Sequence, residues 1–191
     1  MGIPVYRGSQ SFTISAFVFI EDIVRCSCYL CPCVKIHFVE QLNLPTYSFN
    51  IKSKEGRDYI FDPVRKKYVV LTPEEWVRQH FVSYMIREKN YPASLTRVEM
   101  YLEVNRMGKR CDVVFFDRNG IPRMIVECKA PEVRISQKTF DQVAAYNLKL
   151  KVDYLVVTNG LKHYACAMDY RTNSYIFLKE IPDYHSLKLT D

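Results

Sequence analysis

Two apolar runs joined by a tight turn constrain this chain more than any other feature. Arg110 to Phe116 (R-C-D-V-V-F-F) reads as a strand, Asp117-Arg118-Asn119-Gly120 as a turn, and Pro122 to Lys129 (P-R-M-I-V-E-C-K) as the returning strand. Folding the hairpin symmetrically about Asn119-Gly120 pairs residues whose numbers sum to 239, which sets Asp112 opposite Glu127. Side chains alternate along a strand, so Glu127 and Lys129 share a face. Two carboxylates and one lysine then meet on one patch of a sheet. A slip of two residues keeps them together, and a slip of one separates them.

That constellation suits a divalent cation. Paired carboxylates offer hard oxygen ligands to Mg²⁺, with Mn²⁺ able to substitute, and leave positions for water and a phosphate oxygen. A neighbouring lysine can orient or deprotonate the attacking water, or stabilise charge developing on phosphorus. The plainer reading of the same three residues is a cross-strand salt bridge, which is common in β structure. The surrounding sequence decides between the two.

From Leu42 onward the chain is well organised. Arg57 to Leu71 reads as a hairpin turning at Asp62-Pro63. Thr72-Pro73-Glu74-Glu75 is a helix start, with Thr72 as N-cap, Pro73 at the first helical position and Glu75 completing a capping box. Trp76, Phe81, Tyr84 and Met85 give that helix its apolar side through about Glu88, and His80 reads as a solvated helix residue. Arg97 to Val104 is the next strand, followed by a loop at Asn105 to Lys109 and then the carboxylate-bearing hairpin. Ser136 caps a second helix reaching about Leu150. Asp153 to Thr158 follows as a strand parallel to the Lys129 strand, if the helix makes the usual right-handed crossover. Two more strands, Lys162 to Met168 and Ser174 to Lys179, turn through Tyr170 to Asn173. The core order is α-β-β-β-α-β.

On the second helix, Gln142 and Tyr146 lie four residues apart and so share one face. Phe140, Val143 and Ala144 supply the adjoining apolar stripe. The pair reads either as support for the carboxylate patch or as a polar pair at the edge of the core.

Asp112 followed by Glu127-Cys128-Lys129 resembles the D…(D/E)-x-K signature of the PD-(D/E)XK, or restriction-endonuclease-like, nucleases. The stretch from Gly108 to Pro131, with Gln142-Val143-Ala144-Ala145-Tyr146 and the later Val156 to Gly160 (V-V-T-N-G), resembles the N-terminal nuclease domain of the type I restriction enzyme R subunit. The resemblance covers about Leu44 to Pro182. It implies an α/β, restriction-endonuclease-like αβββαβ core with a mixed central sheet flanked by helices. It also implies Mg²⁺-dependent cleavage of DNA, with Asp112 and Glu127 on the metal, Lys129 at the water, and Gln142 and Tyr146 completing the site. Relatives often carry a further metal-reaching glutamate on the first helix. Glu75 is the first choice here and Glu74 the second, although both also suit a helix N-terminus. Arg110, two residues before Asp112, is a phosphate-contact candidate. An R subunit continues into an ATP-driven motor. This chain has no G-x-x-x-x-G-K-[ST] loop, so it is expected to act alone or with restriction-modification or helicase subunits. The alternative is a catalytically inactive nucleic-acid-binding module on the same scaffold.

Composition sets the outer bounds. The net charge is +6 and 48% of the residues are apolar, enough for one sizeable core and compatible with a nucleic-acid partner. Residues 1–42 read as an unassigned extension, and 43–191 as the domain. Phe12 to Ile20 is apolar but too short to span a bilayer, and no secretory pattern surrounds it, so a cytoplasmic location without membrane association is expected. Cys26, Cys28, Cys31 and Cys33 are too closely spaced for a typical zinc knuckle pair and read as reduced thiols. Cys111, Cys128 and Cys166 read as small buried hydrophobes.

Overall fold

A computed structural model describes residues 41–104, 107–172 and 174–187. The expected extension, including the Cys26 to Cys33 cluster and the Phe12 to Ile20 run, lies outside the described residues except at its end. There Leu42 is buried in the core, and Asn43 donates its backbone N–H to Gly160 O at 2.7 Å. Leu42 therefore packs with the domain. No helix among the described residues is long and apolar enough to cross a membrane.

The elements run β1 (Ile51–Lys54), β2 (Arg57–Asp62), β3 (Lys67–Val70), α1 (Pro73–Arg87), β4 (Thr96–Val104), β5 (Met107–Phe116), β6 (Pro122–Cys128), α2 (Gln137–Leu150), β7 (Tyr154–Thr158), β8 (His163–Asp169) and β9 (Ser174–Phe177). They form an antiparallel sheet β1-β2-β3 and a mixed sheet β4-β5-β6-β7-β8-β9, in which only β6 and β7 run parallel. The α-β-β-β-α-β core is thus present, with α2 as the crossover. One departure lies before the central hairpin. Strand β5 already begins at Met107, paired to Val104, so most of the expected 105–109 loop is strand.

The six-stranded sheet has an apolar cluster on each face. Val113, Phe115, Met124, Val126 and Val156 pack with Val77, Phe81 and Met85 of α1. Val114, Ile125, Leu155 and Val157 pack with Phe140, Val143 and Tyr146 of α2. Helix α1 departs further from the sequence reading, because it is buried on nearly all sides from Glu75 to Met85. The β1–β3 sheet and the segment from Leu42 to Phe49 supply the extra cover. His80 is consequently not solvated. It is 5% exposed, its ring lies 4.1 Å from Trp76 and 4.7 Å from Phe49, and burial pulls its pKa down to about 4.

The central register follows from a bulge and not from a two-residue turn. Asp117 accepts backbone N–H groups from Asn119 and Ile121, each at 2.9 Å, and Gly120 closes the turn at φ +76°. Phe116 pairs with Pro122 and Phe115 with Met124, so Arg123 is the extra residue. Beyond it, Val113 opposes Val126 as the symmetric hairpin requires. The buried Arg123 side chain pairs with Asp117 at 2.8 Å and with Asp153 at 2.9 Å, fixing the bulge against β7.

Candidate active site

Backbone pairing of β5 with β6 runs as far as Val113–Val126. The next donor, Cys128 N–H, is taken by the Asp112 carboxylate at 2.7 Å. Asp112 thus substitutes for a ladder acceptor at the end of the pairing and is held against the segment that carries Glu127 and Lys129.

Simple alternation accounts for Glu127 and Lys129. Both reach Gln142 of α2, on the face opposite α1. It does not account for Asp112. Val113 packs in the α1-side cluster and Cys111 in the α2-side cluster, so the alternation of β5 breaks between them. The neighbouring strand breaks at the matching place. Val98 packs on the α1 side, Met100 on the α2 side, and Glu99 between them sits at φ +51°. Asp112 can therefore bond Arg78 on α1 at 2.9 Å while its second oxygen reaches Cys128 N.

On the α2 side, Glu127 is 2% exposed. Its Oε1 accepts from Lys129 Nζ at 2.7 Å and from Gln142 Nε2 at 2.6 Å. Gln142 Oε1 lies 3.4 Å from Lys129 Nζ, so one carboxamide bridges the carboxylate and the ammonium. Tyr146 accepts from Gln142 at 3.1 Å and donates to Arg110 O at 2.8 Å, tying α2 to β5 two residues from Asp112. The Q-x-x-x-Y spacing thus orients Glu127 and Lys129 and anchors the helix at the site. The Arg110 side chain is exposed, and only its backbone takes part in these contacts.

Glu127 Oε2 is buried and has no hydrogen-bond partner. Burial first, and then the charge of Asp112, push the Glu127 carboxyl up to about 7. Burial alone would lower the Lys129 ammonium, but the hydrogen bond and charge of Glu127, with Asp112 and Glu74 beyond, hold it above its ordinary value. These effects bring Asp112, Glu127, Lys129 and Glu74 into one electrostatic unit. Among the described residues no group of three or more His, Cys, Asp or Glu side chains is gathered closely enough to hold an ion by itself. A cation here would use the paired carboxylates and find its remaining ligands elsewhere. The orphaned, buried Oε2 of Glu127 fits such a role, since an unpaired carboxylate oxygen in an apolar setting is costly without a positive partner.

Glu75, the first-choice helix carboxylate, is placed differently. It accepts from Arg65 at 2.7 Å, from Gln79 at 2.8 Å and from Arg78, and is 5% exposed. Its backbone N–H bonds Thr72 Oγ1 at 3.0 Å, but its carboxylate goes to these partners, so only half of the expected capping box forms. Glu74 faces the site. It shares Arg78 Nη2 with Asp112, at 3.1 Å, and burial followed by the Asp112 charge raises its pKa. Sequence reasoning missed Arg78 and Arg65, which organise the acidic groups of α1. Nothing in their spacing distinguishes them from solvated helix and turn residues.

The V-V-T-N-G segment backs the site. Lys129 N–H donates to Thr158 O at 2.8 Å, and Asn159 Nδ2 donates to the carbonyls of Pro131 and Val133 at 3.2 and 3.0 Å. The chain leaving Lys129 is thereby fixed from behind. Cys111, Cys128 and Cys166 are buried free thiols, as the sequence suggests.

A family profile described as type I restriction enzyme R protein N terminus matches residues 73–182. A solved fragment described as an HsdR subunit of a type I restriction enzyme from Vibrio vulnificus YJ016 aligns at 19% identity with a TM-score of 0.46. That alignment covers 61% of this chain and 24% of the other. No curated protein matches significantly.

Proposed function

Because the chain belongs to the type I restriction enzyme R protein N-terminal family, we propose that its site hydrolyses DNA phosphodiester bonds with the help of a divalent cation. The observation that carries the reading is the buried Glu127 carboxylate, with one oxygen saturated by Lys129 and Gln142 and the other without a partner. Asp112 and Glu127 would hold Mg²⁺, or Mn²⁺ in its place, with Glu74 the candidate from α1. When bound, such an ion neutralises phosphate charge and lowers the pKa of a bound water.

The remaining work falls to the side chains. Lys129 keeps its proton while it is paired to Glu127, so it acts as a fixed cation that orients water and offsets charge developing on phosphorus. Gln142 holds both partners in place, which limits the reorganisation needed as charge moves. Tyr146 acts through Gln142 and the β5 backbone. DNA is the proposed partner. Restriction-modification or helicase subunits are the further proposed partners, in keeping with the type I restriction enzyme R protein family that the chain matches.

Cleavage of supercoiled plasmid with Mg²⁺ or Mn²⁺, against a chelator control, tests the reading. Wild type should nick or linearise the plasmid, and Asp112→Asn should not. Cleavage that persists in chelator, or undiminished in Asp112→Asn, overturns it.

A further inference from the structure

One nitrogen of a buried arginine stands between two site carboxylates. Arg78 Nη2 donates to Asp112 Oδ1 at 2.9 Å and to Glu74 Oε1 at 3.1 Å. It bridges a carboxylate from β5 and one from α1, as a divalent cation between them would. Arg78 is 4% exposed, and several partners fix its position. Nη1 is held by Glu75 and lies 3.8 Å from Glu99. Glu75 is in turn clamped by Gln79 and by Arg65, whose other guanidinium nitrogens bond Glu99 at 2.6 Å and Asp62. Arg78 cannot swing aside without giving up its bonds to Glu75, Glu74 and Asp112 and leaving its own buried charge without them.

We propose that Arg78 permanently occupies the position between Glu74 and Asp112 that a second divalent cation would take, so that the site binds a single ion at the Asp112–Glu127 side. This rests on the metal-dependent reading above. A dication placed beside a fixed guanidinium would be repelled, while Glu127, whose Oε2 has no partner, is not among the carboxylates that Arg78 engages. Arg78 is a positioning residue here. It holds Asp112 in its working orientation before any ion arrives, and it holds Glu74 beside it.

The test counts ions. Purified full-length protein is titrated with Mn²⁺ and the bound ions are measured by equilibrium dialysis. Wild type should bind one Mn²⁺ per chain. Arg78→Lys, which keeps a positive charge in place, should also bind one. Arg78→Gln removes the charge and should bind two, with a folded melting transition checked in parallel. A purely structural arginine would not change the count in a folded variant. Two ions on wild type, none on wild type, or one ion on folded Arg78→Gln each overturn the proposal. If Arg78→Gln does not fold, Arg78→Met, which also removes the charge, is counted in its place, and one ion on that folded variant overturns the proposal. Plasmid cleavage separates the two levels. Cleavage with two bound ions removes this inference alone, and no cleavage with no bound ion removes the nuclease reading as well.

Discussion

Replacing Glu127 with glutamine should strengthen the fold while ending its chemistry. The carboxyl is raised from an ordinary 4.5 to about 7 by burial and then by the Asp112 charge. The folded state therefore binds the Glu127 proton more tightly than the unfolded state does. Below pH 4.5 both states are protonated and there is no penalty. As the pH rises through 7 the folded state must carry a buried carboxylate, and stability is lost. At roughly 1.4 kcal/mol per pKa unit, the full effect is about 3 kcal/mol. A glutamine oxygen can still accept from Lys129 and Gln142, and its amide replaces the partnerless Oε2. Losing the Lys129 charge pair offsets part of the gain, so an advantage of about 1–3 kcal/mol is expected at pH 8 in chelator. For a chain of this size that is roughly 3–10 °C in Tm. The assay is urea or thermal unfolding of both proteins from pH 4.5 to 8. His80 and His163, both buried and lowered to about 4, titrate alike in the two proteins and cancel in the difference. The difference should grow as the pH rises and should shrink or reverse when Mg²⁺ is added. Parallel curves, or a variant that loses ground with rising pH, would refute the reasoning.

Two further substitutions test the scaffold. Arg123→Met strands the fully buried Asp117 carboxylate, which two backbone N–H groups and Arg123 hold below its ordinary pKa against the effect of burial; the expected loss is about 3–5 kcal/mol, read from urea midpoints. Gly160→Ala adds a Cβ only 2.7 Å from Leu42 Cδ2 and 3.1 Å from Val77 Cγ2, at φ +81°; a loss of about 2 kcal/mol should appear in the same assay.

The order of elements from β2 onward was legible in the sequence because period-two runs, a proline-led helix start and Asn/Gly/Asp turns mark the boundaries locally, whereas β1 (Ile51–Lys54) was not read. The E-x-K and Q-x-x-x-Y pairs were legible for the same reason, since strand and helix periodicity alone place Glu127, Lys129, Gln142 and Tyr146 relative to their own elements. What escaped was set by contacts distant in sequence. The break in alternation at Asp112 lies opposite a matching break at Glu99, on another strand. The burial of His80 depends on Phe49 and Tyr47, about thirty residues earlier in the chain. Glu75 and Glu74 are adjacent on α1; Arg65, in the turn between β2 and β3, joins Gln79 and Arg78 in engaging the first, while the second shares Arg78 with Asp112. The hairpin register was reached although its turn differs, because the bulge at Arg123 restores the pairing that a two-residue Asn-Gly turn would have given.

Lys129→Ala bears most directly on whether this is an enzyme or a binding module. The substitution removes the fixed cation beside Glu127 and leaves Asp112 and Glu127 in place. Cleavage of plasmid DNA in Mg²⁺ should fall by about 10²–10⁴-fold. DNA affinity at fixed salt should change little, and the salt slope by only about one unit, because many phosphate contacts share the binding. Equal cleavage by wild type and Lys129→Ala would contradict the assignment of the site. DNA binding without cleavage by wild type, in Mg²⁺ and in Mn²⁺, would contradict the activity itself.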